Sequence, residues 1–427
     1  MKPVTLPRWP RRAKRTTNSR LIEAQVDWQS GISEILHDLE TRSLLRERRV
    51  FRALDATHVE FLGRTLVNFS SNNYLGLSHH PRIIETWRNS VMENGVGSVA
   101  SALVTGYTPA HRSCEQALAR WKGAESAVLL NSGMQANAAA VQTLATLNRG
   151  RVRFLFDKLS HASLVDAVQS SSCPYRIFPH NNLNKLERLL AEADQTELQI
   201  VISESIFSMD GDAADLAGLA ALKQKFPFVL LLDEAHASGV YGATGAGLAS
   251  ELGFSATPSP LHPLTPSRSS QLADVTVVTL SKALAVSGGA VCASRDFCRL
   301  MENVARPLIY TTHFPAAVAA TVETAIEVMQ QEPWRRARVR DLARRVRIAL
   351  REKAINVVPS NRDDSPIIPV LLGSESAAVE RAKELMEAGL VVLPIRPPTV
   401  AKGTSRLRVT LSAAHTDEDV ARLVAAL

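Results

Sequence analysis

The sequence predicts an α/β protein in which a large domain, built on a mostly parallel β-sheet, is followed by a smaller α+β domain. Apolar strand-like runs alternate with helix-length segments between about residues 125 and 330. After about residue 330 the order changes to strand, helix, strand, strand and helix. With 427 residues, of which 45% are hydrophobic, the chain can bury a large core, and its length favours two domains.

The large domain is predicted from six apolar runs that lack an alternation of polar and apolar residues. Such runs are typical of strands covered on both faces, which occur in parallel sheets with crossover helices. The six runs are Ala127–Leu130, Val152–Phe156, Gln199–Ser203, Phe228–Asp233, Val275–Leu280 and Gly289–Ala293. The segment Ser255–Ser270 contains four prolines, which cannot serve a central strand, and is predicted to be an inserted loop.

The smaller domain is predicted to begin with a basic amphipathic helix over Trp334–Lys353. A helix around Ile32–Arg46 is expected to pack with this domain. The elements expected after the basic helix are Ile367–Leu372, a helix over Ser376–Ala388, Leu390–Leu393, Leu407–Leu411 and a last helix. The predicted organisation is a basic extension (1–30), an N-terminal segment that packs with the small domain (31–75), the large domain (76–330) and the small domain (331–427).

The formal net charge of +7 originates at the N-terminus. Seven Lys and Arg residues and no acidic residue lie before Glu23, and the remaining basic residues equal the 42 acidic residues in number. A basic tail that contains prolines can contact nucleic acid or act as a targeting peptide, but it is more often a disordered extension. The neutral body argues against a nucleic-acid-binding protein.

The composition also predicts the cellular compartment. No run approaches the roughly 18 apolar residues of a membrane span, and no secretory apolar region lies near the start. The four cysteines, Cys114, Cys173, Cys292 and Cys298, have neither metal-ligand nor disulfide-framework spacing. They are interpreted as reduced thiols of a cytoplasmic protein that has no metal site and no membrane partner.

Asp233 and Lys282 each lie at the end of a buried apolar run. A carboxylate or a lysine in such a place is costly to bury unless it has a partner or a function. A lysine that binds an aldehyde as a Schiff base, and a carboxylate that keeps a pyridine nitrogen protonated, are the groups that pyridoxal phosphate requires. His236, three residues after Asp233, is near enough to hydrogen-bond the phenolic oxygen of that cofactor. The pair therefore predicts a pyridoxal phosphate enzyme.

Two further segments offer cofactor ligands, each with a plainer alternative. Gly133 opens an alanine-rich helix whose free N–H groups suit a phosphate, although a Ser-Gly pair before a helix is commonly only an N-cap. His161 can stack on a flat ring or act in proton transfer, but a lone histidine near a strand end is more often structural.

Two other segments offer groups for substrate or cofactor. Ser208 follows a buried strand, at the edge where open α/β sheets bind ligands, unless it is only part of a turn. Arg406 and Arg408 alternate with apolar residues on a strand and so point to one face. A planar guanidinium suits a substrate carboxylate, and the alternative is a solvated strand face.

Six motifs resemble, in order and spacing, those of the α-oxoamine synthases, a family of fold-type I pyridoxal phosphate enzymes. The motifs are Ser-Ser-Asn72-Asn-Tyr-Leu-Gly-Leu, Gly106-Tyr107 followed by His111, Leu-Ser-His161-Ala-Ser, Glu-Ser-Ile-Phe-Ser208-Met-Asp-Gly-Asp, Asp233-Glu-Ala-His236 and Thr279-Leu-Ser-Lys282. These enzymes condense an amino acid with an acyl thioester and release carbon dioxide. The resemblance covers roughly residues 30–427 and implies a fold-type I transferase fold.

The resemblance implies catalytic roles for Lys282, His161, Asp233 and His236. Lys282 would bind the cofactor and then remove the α-proton of the amino acid. Asp233 would pair with the pyridinium, and His161 would stack on the ring. His236 and Ser208 would hydrogen-bond the phenolic oxygen.

The resemblance also implies groups that hold the phosphate and the substrates. Gly133, Met134 and Thr279 would hold the phosphate, and Thr312 would reach it from the second subunit of a homodimer. The substrate groups would be Asn72 and Arg408 at the amino-acid carboxylate, Arg46 at the acyl substrate and Thr399 in the substrate region.

The tail from Ile395 to His415, with its Arg-Pro-Pro-Thr opening, is most similar to one branch of the family. That branch joins L-alanine to a pimeloyl thioester, carried on a carrier protein or CoA, in biotin biosynthesis. The open alternatives are a relative that uses glycine, a synthase for long-acyl lipids or signals, and a non-catalytic binding protein on the same fold. Val99 and Ala100 stand where the family usually has two glycines, which leaves the acyl specificity open.

Overall fold

The computed structural model describes residues 27–254 and 272–427, which form two compact units, 27–47 and 48–427. The first unit contains helix α1 (Trp28–Thr41), which Asp27 caps by accepting the N–H of Gln29 at 3.0 Å. This is the helix predicted around Ile32–Arg46, and it begins inside the predicted extension of residues 1–30. The rest of that extension and the predicted loop 255–270 lie outside the described residues, and the predicted domain boundaries stay predictions.

The second unit contains alternating helices and strands. Its described α-helices are α2 (Pro81–Asn94), α3 (Pro109–Lys122), α4 (Gly133–Ala145), α5 (Ala162–Ser170), α6 (Leu183–Ala191), α7 (Leu216–Lys225), α8 (Leu248–Glu251), α9 (Arg295–Val304), α10 (Arg306–Ile309), α11 (Ala316–Gln331), α12 (Trp334–Glu352), α13 (Glu375–Glu387) and α14 (Asp417–Ala426). Its described strands are β1 (Arg52–Ala53), β2 (His58–Phe61), β3 (Arg64–Asn68), β4 (Ser126–Leu130), β5 (Val152–Asp157), β6 (Tyr175–Phe178), β7 (Leu198–Glu204), β8 (Val229–Asp233), β9 (Val275–Thr279), β10 (Gly289–Ala293), β11 (Ile367–Gly373), β12 (Leu390–Val391), β13 (Pro394–Ile395) and β14 (Ser405–Thr410).

A seven-stranded sheet forms the centre of this unit, in the order β4-β10-β9-β8-β7-β5-β6. Neighbouring strands from β9 to β6 are parallel, and β10 is antiparallel to both β9 and β4. All six predicted runs are strands of this sheet, so the predicted α/β class is confirmed. The edge strand β6 was not predicted, since only Phe178 among its four residues is buried.

The continuous apolar runs arise because the sheet is covered on both faces. Leu231 in β8 belongs to one core cluster, together with residues of α4 and α5. Its neighbours Leu230 and Leu232 belong to the other cluster, together with residues of α3, α7 and α11. Consecutive residues of a strand point to opposite faces, so a strand in this middle layer needs apolar residues at every position.

Two small sheets contain the C-terminal strands. β11, β14 and β13 form an antiparallel sheet, and β12 pairs in parallel with β3 in the sheet β1-β2-β3-β12. The main-chain N–H of Thr410, at the end of β14, donates to the carbonyl of Phe69 at 2.7 Å. The segment after β3, which contains Asn72, is therefore held beside β14. Among the described residues, no helix is both long enough and apolar enough to cross a membrane.

Candidate active site

Polar side chains end three neighbouring strands of the large sheet. Glu204 ends β7, Asp233 ends β8 and Thr279 ends β9. Because these strands are parallel, the three residues lie at the same edge, where open α/β sheets bind ligands. A cavity of about 200 Å³ opens there, lined by Gly133, Met134, Asn137, His161, Ser163, Glu204, Asp233, Ala235, His236, Thr279, Ser281 and Lys282.

Lys282 and His236 are in direct contact in this cavity. Lys282 Nζ lies 2.9 Å from His236 Nε2. Burial lowers the pKa of Lys282 to about 8, although the carboxylates of Asp233 and Glu204 oppose this shift. Burial also lowers the pKa of His236 well below its usual range, and the charges of Lys282 and Arg408 lower it further. The imidazole is therefore neutral near pH 7, and a larger fraction of Lys282 is neutral there than of an ordinary lysine.

Asp233 is buried, and its carboxylate is held from two sides. The main-chain N–H of Ala235 donates to Asp233 Oδ1 at 2.8 Å, and Asn137 Nδ2 donates to Asp233 Oδ2 at 2.9 Å. Asn137 lies on α4 and also donates to Ser163 Oγ at 2.9 Å. These bonds fix the direction in which the carboxylate faces the cavity.

Glu204 lies beside Asp233, since the two residues are register partners in β7 and β8. Burial and the neighbouring Asp233 carboxylate raise the pKa of Glu204 well above its usual range. Glu204 Oε1 accepts the main-chain N–H of His161 at 2.5 Å. Glu204 therefore holds a proton more readily than an ordinary glutamate does.

The N-terminus of α4 forms another wall of the cavity. Ser132 caps this helix, and its hydroxyl accepts the N–H of Gln135 at 3.1 Å. A Cβ atom at Gly133 would lie 2.4 Å from Thr279 Oγ1, so only glycine allows this close approach. A helix N-terminus next to a threonine hydroxyl suits a phosphate, because its N–H groups and dipole attract an anion.

A chain of hydrogen bonds extends from His236 to β14. His236 Nδ1 lies 2.7 Å from Tyr74 Oη, and that hydroxyl donates to Asn72 Oδ1 at 3.0 Å. Arg408 Nη1 donates to Asn72 Oδ1 at 3.1 Å, and Arg408 Nε donates to the carbonyl of Ser208 at 2.6 Å. Arg408, Asn72 and the main-chain carbonyl of Ser208 are thus connected by hydrogen bonds to the lysine in the cavity.

The predicted site residues fall into three groups. Seven of them line the cavity: Gly133, Met134, His161, Asp233, His236, Thr279 and Lys282. Asn72, Ser208 and Arg408 join the cavity through the bonds above. Thr312, Thr399 and Arg46 are outside the cavity lining; Thr312 and Thr399 are exposed, and Arg46 belongs to the N-terminal unit.

Tyr74, Asn137 and Glu204 belong to the hydrogen-bond network of this site and were not predicted from the sequence. Glu204 had a usable signal, because it is a carboxylate that ends an apolar run, as Asp233 is. Asn137 is a polar residue one turn into an alanine-rich helix, which is a weaker signal. Tyr74 lies two residues after Asn72, in the first of the six motifs, but nothing in the sequence there indicates that its hydroxyl bridges His236 and Asn72.

The chain is similar to known proteins over almost its whole length. Residues 64–427 match the aminotransferase class I and II family. The chain is 37% identical to the 8-amino-7-oxononanoate synthase of Methylobacillus flagellatus, over 94% of this chain and 96% of the relative. It is 39% identical to the 8-amino-7-oxononanoate synthase of Cronobacter sakazakii, over 94% of this chain and 99% of that relative.

The chain belongs to the 8-amino-7-oxononanoate synthase family. The solved structure of Sphingomonas wittichii serine palmitoyltransferase has the same fold, with a TM-score of 0.83 and 28% identity, over 95% of this chain and 97% of the other. A high-resolution structure of SPT with PLP matches with a TM-score of 0.82 and 26% identity, over 95% and 97% of the two chains. The predicted family, the fold-type I fold, the enzyme class and the cofactor pyridoxal phosphate (PLP) are therefore confirmed.

Proposed function

We propose that this enzyme condenses L-alanine with a pimeloyl thioester to give 8-amino-7-oxononanoate, carbon dioxide and the free thiol, in biotin biosynthesis. The observation that carries the proposal is the convergence of Lys282, His236 and Asp233 in one cavity, connected by hydrogen bonds to Arg408 and Asn72. Curated relatives at 37% and 39% identity carry the name of this synthase. In this reaction the bond from the α-carbon of alanine to its carboxylate carbon is replaced by a bond to the acyl carbon. The acyl C–S bond breaks, and the departing thiolate takes up a proton from solvent to give the free thiol.

PLP, held in this cavity, would supply an electron-withdrawing ring that stabilises negative charge at the α-carbon of the amino acid. We assign its aldehyde to Lys282 and its pyridine nitrogen to Asp233. Asn137 and the N–H of Ala235 would orient that carboxylate. Gly133, Met134 and Thr279 would hold the phosphate at the N-terminus of α4.

Lys282 would also move the α-proton. Its pKa of about 8 leaves roughly a tenth of the amines neutral at pH 7, which is sufficient for a base that acts on a bound substrate. The neutral His236, whose Nδ1 contacts Tyr74, and Ser208 would face the phenolic oxygen. His161 opens α5 at the mouth of the cavity and would cover the ring.

Arg408 and Asn72 would bind the carboxylate of L-alanine. Arg408 is buried and points along a chain of polar groups toward Lys282, so a carboxylate near its guanidinium would be within reach of the base. From the family resemblance we also propose that Arg46 contacts the acyl substrate and that Thr399 lies in the substrate region. We place the reaction in the cytoplasm, in keeping with four cysteines that are all free.

We further propose a homodimer in which Thr312 completes the phosphate site of the partner. The carbonyl of Thr312 accepts from Asn131 Nδ2 at 2.7 Å, just before the N-terminus of α4, and its side chain is exposed. The carbonyl of Ala100 accepts the N–H of His313 at 3.0 Å, so the loop before α3 adjoins this place. Large apolar side chains are exposed in these segments, as expected of an interface: Val96, Val99, Val104, Met134 and Tyr310.

The shared site can be tested by mixing inactive variants. A Lys282→Ala chain mixed with a Thr312→Asp chain is expected to regain activity, because one site of the heterodimer carries neither lesion. The matched control mixes a Lys282→Ala chain with an Asp233→Asn chain. Both of these residues of one site come from the same chain, so each site of the heterodimer would carry one lesion, and the mixture is expected to stay inactive. A fully active monomer in light scattering would contradict the shared site.

A substrate panel tests the reaction itself. L-alanine with a pimeloyl thioester should give product, on CoA, on a carrier protein or on both. Turnover of glycine with acetyl thioester, or of serine with a long acyl thioester, in place of alanine with pimeloyl thioester would favour the alternative synthases. A protein that cannot be loaded with PLP, and so stays colourless, would favour a non-catalytic binding protein.

A further inference from the structure

Three ionisable groups form a cluster that the assigned chemistry does not use: Asp157, His180 and Asp212. His180 Nδ1 lies 3.0 Å from Asp157 Oδ1, and His180 Nε2 lies 2.7 Å from Asp212 Oδ2. Both carboxylates are buried, whereas the histidine side chain is a quarter exposed. None of the three residues lines the cavity.

The geometry favours a charged histidine. Carboxylates only accept hydrogen bonds, so a ring that bonds one at each nitrogen must carry both N–H groups. Burial lowers the pKa of His180, but the hydrogen bonds and charges of Asp157 and Asp212 outweigh it and raise the value to about 10. The cluster is an imidazolium between two carboxylates across the physiological range.

Each carboxylate belongs to a segment that holds a predicted active-site residue. Asp157 ends β5, and its Oδ1 accepts the N–H of Leu159 at 2.8 Å, in the turn that leads to His161. The carbonyl of Asp212 accepts the N–H of Phe207 at 2.9 Å, which closes the loop that contains Ser208.

The loop that contains Ser208 has side-chain contacts on two sides. His180 lies edge-on to the ring of Phe207, with centroids 4.4 Å apart, and bonds Asp212. On the other side Arg408 donates to the carbonyl of Ser208, and Arg406 pairs with Asp210. Without His180, the two buried carboxylates would lose the cation between them. The Ser208 loop would keep its contacts to β14 and to Ser360 and Asn361, but would lose its ionic link to the end of β5.

We propose that His180 is a positioning residue, a cationic cross-link that holds the Ser208 loop and the His161 turn in place around the cofactor. The proposal rests on the assignment of Ser208 and His161 to the cofactor. It adds a residue that touches neither the cavity nor the substrate.

The test compares three variants of the full-length enzyme. His180→Gln removes the cation, and Asp212→Asn removes one charge while keeping an acceptor. His80→Gln is the matched control, because His80 Nε2 bonds Glu332 Oε1 at 3.1 Å, outside both segments. The measurements are the dissociation constant for PLP by fluorescence titration of apoenzyme, kcat, the KM of each substrate, and the unfolding midpoint.

For His180→Gln we expect PLP affinity and kcat to fall about tenfold or more, the size of a lost charged hydrogen bond, with the KM of the thioester unchanged within about twofold. Asp212→Asn should lower PLP affinity and kcat by a smaller factor. If His180→Gln does not fold, the comparison of Asp212→Asn with His80→Gln tests the proposal. His80→Gln should leave affinity and kcat unchanged.

Unchanged PLP affinity in the foldable variants would overturn the proposal. So would losses in His80→Gln that equal those in His180→Gln at a similar drop in the unfolding midpoint. Because PLP binding does not depend on which amino acid or thioester reacts, a failed substrate assignment would leave this readout intact and distinguishable.

Discussion

Gly133→Ala is the substitution whose effect on the phosphate site can be worked out most fully from the structure. The new Cβ would lie 2.4 Å from Thr279 Oγ1 and 3.4 Å from Thr279 Cβ. Carbon atoms normally approach other heavy atoms to about 3.5–4.0 Å, so the threonine or the helix start must move. Overpacking of this kind costs about 1–3 kcal/mol of folding free energy.

The displacement also affects the cofactor. Gly133 and Thr279 are both assigned to the phosphate, and a hydrogen bond to a charged group contributes about 1.5–3 kcal/mol. Losing one such bond should weaken PLP binding by about 10- to 100-fold, since 1.4 kcal/mol corresponds to a factor of ten. The affinity is measured by titrating apoenzyme with PLP, and the folding free energy by denaturant unfolding.

Two further variants separate the clash from the phosphate site. Gly218→Ala is the control, because its Cβ would lie 2.2 Å from Leu183 Cδ1, an equally tight contact away from the cavity. It should keep its PLP affinity, and its stability should change little, because Leu183 can rotate away and alanine favours the helix α7. Adding Thr279→Ala to Gly133→Ala removes the clashing oxygen and should recover stability without recovering affinity. A Gly133→Ala enzyme that binds PLP within about twofold of the unmodified protein would refute the reasoning.

Three other predictions concern single residues of the cavity. Reconstitution of apoenzyme with PLP should accelerate as pH rises through about 8, because burial lowers the pKa of Lys282 and so favours its neutral amine. The rate is measured by stopped flow, and a midpoint near 10.5, the ordinary pKa of lysine, would contradict this. Arg408→Lys should raise the KM for alanine about tenfold with little change in the KM of the thioester, since an ammonium cannot reproduce the planar fork; steady-state kinetics measure both constants, and an unchanged KM for alanine would remove Arg408 from the carboxylate. Asn137→Ala should lower kcat about tenfold by freeing one oxygen of Asp233 from a hydrogen bond, whereas a rate equal to that of the unmodified enzyme would show that Ala235 alone orients the carboxylate.

The large sheet was predictable because its strands have a strong local signal. Leu230, Leu231 and Leu232 are apolar at consecutive positions, as expected of a strand covered on both faces. β6 gave no such signal, since Arg176 and Ile177 are exposed at the edge of the sheet. The strands β11 and β14 were predicted, but their antiparallel pairing joins residues far apart in sequence and no local pattern encodes it.

The candidate site was predictable at residues whose charged side chains are costly to bury without a partner. Asp233 and Lys282 lie at the ends of buried apolar runs, so their chemistry could be inferred before the fold. Tyr74 and His180 could not be found in this way, because their significance depends on partners distant in sequence. Tyr74 meets His236 across 162 positions, and His180 meets Asp212 across 32.

The fate of the carboxyl carbon of alanine tests the central claim most directly. L-alanine labelled with carbon-13 in its carboxyl group, or in its methyl group, is incubated with pimeloyl thioester and PLP-loaded enzyme, and the products are examined by mass spectrometry. The account predicts that the carboxyl label is released entirely as carbon dioxide, and that the methyl label is retained in 8-amino-7-oxononanoate. No labelled product from either alanine, while glycine or serine with another thioester is consumed, would contradict it.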